Sequence, residues 1–247
     1  QLRAEGYLAT RSGSATRVAD VPAAPTAPAG PPSSPAAPSL LTDFRAGVPD
    51  LGSFPRADWA WAQREAAKTA STADLGYGDP RGAAELREVL AAYLRRVRGA
   101  SADPKDLVIC SGFAQGLVLA LHATGVHRVA FENPGYDAEL LAVADWLRVE
   151  TVPVPVDDQG VDVDALKASG AGAVVLTPAH QWPTGVVLSP ARRQAVASAG
   201  PFIVEDDCDA EFRYDRDPVG VLQGRARDRV LLTGTVSKSP APGLRLG

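Results

Sequence analysis

From about Thr42 onward, apolar positions fall into two alternating patterns. In AAELREVLAAYLRRV, Leu86, Val89, Leu90, Tyr93, Leu94 and Val97 recur at helical spacing, with Glu and Arg on the opposite face. That spacing predicts an amphipathic helix. DLVICSG is a short apolar run closed by glycine and predicts a buried strand. FAQGLVLALHAT then predicts a helix, HRVAFENPGY a strand and turn, DAELLAVADWL a helix, and VETVPVPV and AGAVVLTP two strands. AHQWPTG reads as a loop, SPARRQAVASA as a helix, and PFIVEDD and DRVLLTGTVSK as two further strands. Short apolar strands alternating with helices predict an α/β fold, a mostly parallel sheet covered on both faces. Such sheets bind ligands at the carboxyl ends of their strands.

The N-terminal part is different. Residues 1–19 mix charge with Gly and Ser, and residues 20–41 are almost entirely Pro, Ala, Gly and Ser. The second stretch lacks the apolar surface needed to fold and reads as an extended linker. Residues 42–247 form the folded region. The chain has 247 residues and is 45% hydrophobic, enough for a core. No apolar run approaches the ~20 residues of a membrane span, and QLRAEGYLATRSGSATR has no apolar segment of a signal peptide. A net charge of −4 gives no bulk basic footprint for nucleic acid. Cys110 and Cys208 stand outside any CxxC pair, which fits a reducing cytoplasm. His122, His127 and His180 are too scattered for a metal motif. Methionine is absent throughout, which suggests a fragment.

Chemistry collects where the predicted strands end. SGFAQG opens a helix, and free N–H groups at a helix start favour phosphate. EDDCDAEF is an acidic cluster at a strand end, where a buried carboxylate needs a cation or a proton. TVSKSPAPGLRLG brings Thr235, Ser237, Lys238 and Arg245 together. An amine, a carboxylate and a phosphate cradle at one sheet edge suit pyridoxal phosphate (PLP).

Six stretches recur in order over residues 43–247: DFRAGVPDLGSFPRADW, LGYGDPRGAAELREVLAAYLRRVRGA, FENPGY, TPAHQWPTG, VEDDCDAEFRY and TVSKSPAPGLRLG. On these stretches the chain resembles the large domain of fold-type I aminotransferases, in the branch fused to winged-helix regulators, the MocR/GabR type of the GntR superfamily. Residues 1–19 resemble the end of a GntR winged helix, its last helix and Gly-rich wing.

The resemblance implies roles position by position. Lys238 is the lysine that bonds to the cofactor's aldehyde, and Asp206 the acid that pairs with the pyridine nitrogen. Tyr136 stacks on the ring. The backbone of Phe113 and Ala114, with Gln115 beside them, forms the phosphate loop, joined by Thr235 and Arg245. Tyr77 reaches a phosphate across a homodimer interface. Trp182 stands where ordinary aminotransferases carry an asparagine near the cofactor hydroxyl. Cys208 replaces a tyrosine that contacts the phenolic oxygen, and a thiol is the weaker donor. Ala138 stands where some members carry a substrate-binding arginine.

Two functions follow from the resemblance. One is a cytoplasmic, PLP-binding, DNA-binding regulator that senses an amino compound, cut at both ends so that the recognition helix and a C-terminal small domain are missing. The other is a genuine aminotransferase of the 2-aminoadipate class. Glu205, Asp207, Asp209, His180, Gln181 and Cys110 read as structural or solvated. Arg3, Arg11 and Arg17 read as ordinary exposed arginines that a wing could turn toward DNA phosphates.

Overall fold

The computed structural model describes residues 3–10, 12–13, 15–19, 47–136, 138–198, 200–212, 214 and 219–247, with the backbone alone at 138–140. The linker at 20–41, Arg11 and the Ala138 side chain lie outside this set. The chain divides into two units, residues 1–45 and 46–247.

In the first unit, β1 (Leu8–Ala9) and β2 (Arg17–Val18) pair antiparallel as a small hairpin. Residues 3–6 form turns where the resemblance predicted a helix end.

The second unit is built on a six-stranded sheet. Its helices and strands run in the order α1 (Arg56–Thr69), α2 (Ala84–Tyr93), α3 (Phe113–Thr124), β3 (Arg128–Asn133), α4 (Ala138–Trp146), β4 (Glu150–Asp157), β5 (Gly160–Val161), α5 (Val163–Ala168), β6 (Ala173–Leu176), α6 (Pro190–Ser198), β7 (Phe202–Asp206) and β8 (Val230–Thr233). The spatial order is β5-β4-β3-β6-β7-β8, parallel except for the β4–β5 edge.

Two-residue alternation sorts the side chains into two cores. Val129, Phe131, Ala173, Val175 and Val204 pack against Leu117, Ala120 and Leu121 of α3 and Ala144 of α4. Ala130, Val154, Val174, Leu176, Ile203 and Val230 pack on the other face with Leu166 of α5 and Val196 of α6. β4 carries Pro153 and Pro155, which lack N–H donors. The Pro155 carbonyl accepts from Asp162 N–H at 2.8 Å, so the prolines turn their bonding sides away from β3 toward the short β5 edge. There the missing donors cost little. The Asp162 side chain caps α5 through Asp164 and Ala165 N–H, both at 2.9 Å.

Three expectations are corrected. DLVICSG is not a sheet strand: Cys110 instead exchanges backbone hydrogen bonds with Gly247, at 2.8 and 3.0 Å. Cys110 is accordingly half-buried rather than core, its sulfur 3.5 Å from the Gly112 carbonyl. β8 stops at Thr233, so residues 234–238 leave the sheet as a turn toward its carboxyl edge. The inward face of α2 is rotated: Val89 and Val97 are exposed, while Arg87, Ala91 and Arg98 are buried. A π turn over Leu94–Arg98 shifts the register there. The buried arginines are held by acceptors, Arg87 by Gly82 and Pro104 carbonyls and Arg98 by Asp207.

Candidate functional site

The parallel strands all end at one edge, and the predicted chemistry sits there. β7 presents Val204 and Asp206 to the α3 face and Ile203 and Glu205 to the other. Alternation alone thus separates two neighbouring acids. Glu205 accepts from Leu222 and Gln223 N–H at 2.8 and 3.0 Å, a structural role. Burial still raises its carboxyl to about 7. Asp207 is paired bidentately with Arg98, both contacts at 2.8 Å. Asp209 meets His180 Nδ1 at 2.7 Å.

Asp206 is the acid left at the edge, only 5% exposed. Its Oδ2 accepts from the Tyr136 hydroxyl at 2.5 Å. Among the described residues, its Oδ1 is the buried side-chain polar atom with no hydrogen-bond partner. Burial raises the carboxyl to about 7; the Tyr136 hydroxyl works against this, and the charges of Asp207 and Asp209 reinforce it. Tyr136 stacks on Phe113, ring centroids 5.6 Å apart and planes 25° apart. Burial keeps its hydroxyl protonated, with Asp206 adding to the effect. The Cys208 thiol lies beside the same carboxyl without completing a hydrogen bond to Oδ1. Burial first, then Asp206 and Asp209, pushes that thiol well up, while nearby Lys238 pulls it down.

The Lys238 amine donates to the Gly47 carbonyl at 2.7 Å. Gly47 has φ +74, and a Cβ there would stand 3.3 Å from that nitrogen. Three residues earlier, Thr235 Oγ1 lies 2.8 Å from Ser237 Oγ and donates to the Leu246 carbonyl at 3.2 Å. Arg245 donates to the Ser111 carbonyl at 2.9 Å, next to the start of α3. Gly112, at φ +88, offers α3 no side-chain cap, and the first helical bond closes from Gly116 N–H. Phe113 and Ala114 N–H therefore have no partner inside the helix. Gln115 Oε1 folds back to accept from Ser111 N–H at 2.5 Å, bracing this loop. Phe113, Ala114, Gln115 and Arg245 are thus one assembly, with Thr235 on the segment that pairs alongside through Val236 and Leu246.

Trp182 is 40% exposed on the loop after β6. Its N–H donates to Thr177 Oγ1 at 3.2 Å. Tyr77 is fully exposed and touches none of this cluster's residues through a hydrogen bond or ring contact. No group of three or more His, Cys, Asp or Glu among the described residues could hold a metal. No helix among them is long and apolar enough to cross a membrane.

Three features escaped the sequence. Gly47 contributes a carbonyl and so leaves no side-chain signal. Phe113 contributes its ring as well as its backbone. Gln181, 2% exposed, ties two loops: Nε2 donates to the Pro134 and Trp182 carbonyls at 2.9 and 2.6 Å. Its Oε1 accepts from Thr184 Oγ1 at 2.6 Å. Beneath it, buried Glu132 accepts from Thr177 N–H and Oγ1 at 3.0 and 2.7 Å. The position of Glu132 in FENPGY was the available clue.

The chain is 33% identical over its whole length to the HTH-type pyridoxine biosynthesis transcriptional regulator PdxR of Corynebacterium glutamicum, and covers 55% of it. It is 30% identical, again over its whole length, to the probable rhizopine catabolism regulatory protein MocR of Rhizobium meliloti, covering 55%. The chain therefore spans about half the length of these relatives. The kynurenine aminotransferase of Pyrococcus horikoshii, solved in complex with PMP, superposes with a TM-score of 0.70 at 29% identity, over 81% of this chain and 53% of that one. The family described as aminotransferase class I and II matches residues 41–247. That match takes in the whole six-stranded sheet, and the chain belongs to the aminotransferase class I and II family.

Proposed function

We propose that this chain is the PLP-binding, aminotransferase-like part of a transcriptional regulator of the MocR type, in which the site senses the cofactor or an amino compound. The observation that carries the reading is the orphaned Oδ1 of Asp206. A buried carboxylate oxygen without a donor is costly, and a protonated pyridine nitrogen supplies one. The residues present fit the group: amine, carboxyl, stacked aromatic and uncapped helix start all face one edge.

In this reading Asp206 accepts from the ring nitrogen and Tyr136 covers a ring face. Phe113 and Ala114 N–H, Thr235 and Arg245 hold the phosphate, with Gln115 bracing the loop. Lys238, whose amine rests on the Gly47 carbonyl, would be the residue that holds the cofactor through its aldehyde. Cys208 and Trp182 would stand near the cofactor's hydroxyl. The cofactor, once bound, supplies an aldehyde and an electron-withdrawing ring. Tyr77, exposed here, would serve the phosphate of a second copy, which makes the working form a homodimer. The hairpin of β1 and β2 supports a wing over residues 1–19, with Arg3 and Arg17 available to DNA phosphates in the intact protein, and 20–41 as linker. A cytoplasmic location follows from a DNA-binding partner.

The second reading, an aminotransferase, is favoured by the likeness to the kynurenine aminotransferase. Cys208 and Trp182, where tyrosine and asparagine would tune the cofactor hydroxyl, weigh toward sensing.

The test is an absorbance titration of the chain with PLP beside Lys238→Ala. A visible band in the parent, absent in the variant and fixed by borohydride, is expected. No band in the parent sinks the cofactor reading. Steady turnover of an amino donor and a keto acid acceptor would reverse the choice between sensor and enzyme.

A further inference from the structure

The Tyr136 ring already has a role in the reading above, as the aromatic cover of the cofactor. Its hydroxyl does not, and the geometry gives it one. Tyr136 follows β3, and Asp206 ends β7; β6 lies between them in the sheet. The hydroxyl spans that strand to donate to Oδ2 of Asp206 at 2.5 Å. A carboxylate in a buried site has two oxygens and a rotatable bond. Once one oxygen is fastened, the other is aimed. Here Oδ1 is the atom left without a partner. The ring is itself anchored, stacked on Phe113 and edge-on to Phe131 at 6.4 Å. The hydroxyl is therefore a fixed point from which the carboxyl hangs.

We propose that Tyr136 is the positioning residue for Asp206: its hydroxyl holds Oδ2 and thereby presents Oδ1 to the pyridine nitrogen. The inference rests on the cofactor reading and adds a second duty to one side chain. Stacking and nitrogen recognition become coupled, because a ring that shifts to admit or release the cofactor also turns the carboxyl. The other groups that face Asp206 are Cys208, Asp207 and Asp209, all on the segment that follows it. Lys238 acts on Cys208 from the β8 side, and Glu132 faces Tyr136 from β3. Of these, the Tyr136 hydroxyl is the one with a short direct bond to the carboxyl.

The test is Tyr136→Phe, which keeps the ring and deletes the hydroxyl. Two quantities are read on the whole chain, with circular dichroism confirming that the variant folds. The first is the titration of Asp206 in the cofactor-free protein, followed by carboxyl-carbon NMR and assigned with Asp206→Asn. Loss of a donor should move it to higher pH, since both oxygens then lack partners. The second is PLP affinity from the visible band, expected to fall about tenfold, the scale of a hydrogen bond to a charged group. A merely structural tyrosine would move neither. Unchanged titration with unchanged affinity overturns the inference while leaving the cofactor reading intact. Absence of a band in the wild-type chain overturns both.

Discussion

Arg98 and Asp207 form a buried, bidentate ion pair across 109 positions of sequence, with both side chains under 10% exposed. The pair latches the π turn after α2 to the residue following Asp206. Its loss would leave a buried charge beside the site. Arg98→Leu should cost about 3–5 kcal/mol, read as a lower urea midpoint. The double variant Arg98→Leu with Asp207→Leu should recover much of that loss. A single variant as stable as wild type would mean that the pair does not bind these elements together.

Stability should depend on pH in an unusual direction. Burial raises Asp206 and Glu205 to about 7, above the ordinary carboxylate range. A raised folded value means that the folded state holds protons the unfolded chain has released. The contribution is complete below about pH 4 and is lost as pH rises through 7, at up to about 1.4 kcal/mol per unit for each group. Thermal melts of the cofactor-free chain should fall from pH 5 to pH 7.5. With PLP bound, Asp206 gains a cation and its share of the slope should vanish. The share from Glu205, on the opposite face, should remain. A flat profile without cofactor would show that these acids are solvated.

Gly112→Ala should strike the phosphate end. At φ +88 an L side chain is strained, and its Cβ would lie 2.9 Å from the Arg245 guanidinium. The backbone term alone is about 1–3 kcal/mol. The melting temperature should drop, and PLP affinity should fall more than that of pyridoxal without phosphate. Equal losses for the two ligands would place the phosphate elsewhere.

Gln181→Leu removes the donor shared by the Pro134 and Trp182 carbonyls. Both carbonyls lie on exposed residues that water can reach, so the loss is that of ordinary hydrogen bonds, about 0.5–1.5 kcal/mol each. The expected result is a destabilised chain whose Trp182 emission shifts as its loop loosens. An unmoved spectrum and melt would mean that Thr177 and Glu132 suffice to hold the loop.

The sheet was legible where burial is local. β3, β6 and β7 are short apolar runs, and every interior position of β6 is buried, so periodicity finds them. α1 was missed because it buries none of its residues and shows no apolar stripe. α5 was missed because its six residues hide one side chain, Leu166. DLVICSG misled because apolarity does not name a pairing partner, here Gly247. The face of α2 misled because arginine is assigned to solvent unless a distant acid is known. At the site, Asp206 and the role of Lys238 came through the resemblance, and strand alternation supplies the physical reason that Glu205 faces the other way. The Gly47 carbonyl and the Gln181 clamp could not be read, since one is a backbone atom and the other reaches a carbonyl, that of Pro134, far away in sequence.

The strand order carries a kinetic consequence. The groups of the site belong to segments from Gly47 to Arg245, and β6 pairs with β3 only after β4, β5 and α5 have intervened in sequence. Nearest neighbours in space are remote along the chain, so loop closure delays the site until the sheet is nearly whole. A partly zipped sheet offers the ligand nothing to grip. Ligand added during refolding should thus leave the early steps untouched and act as a ratchet on the last one. At a hundred times its dissociation constant it would hold the finished chain by about 2.7 kcal/mol, making occupancy a checkpoint for correct topology.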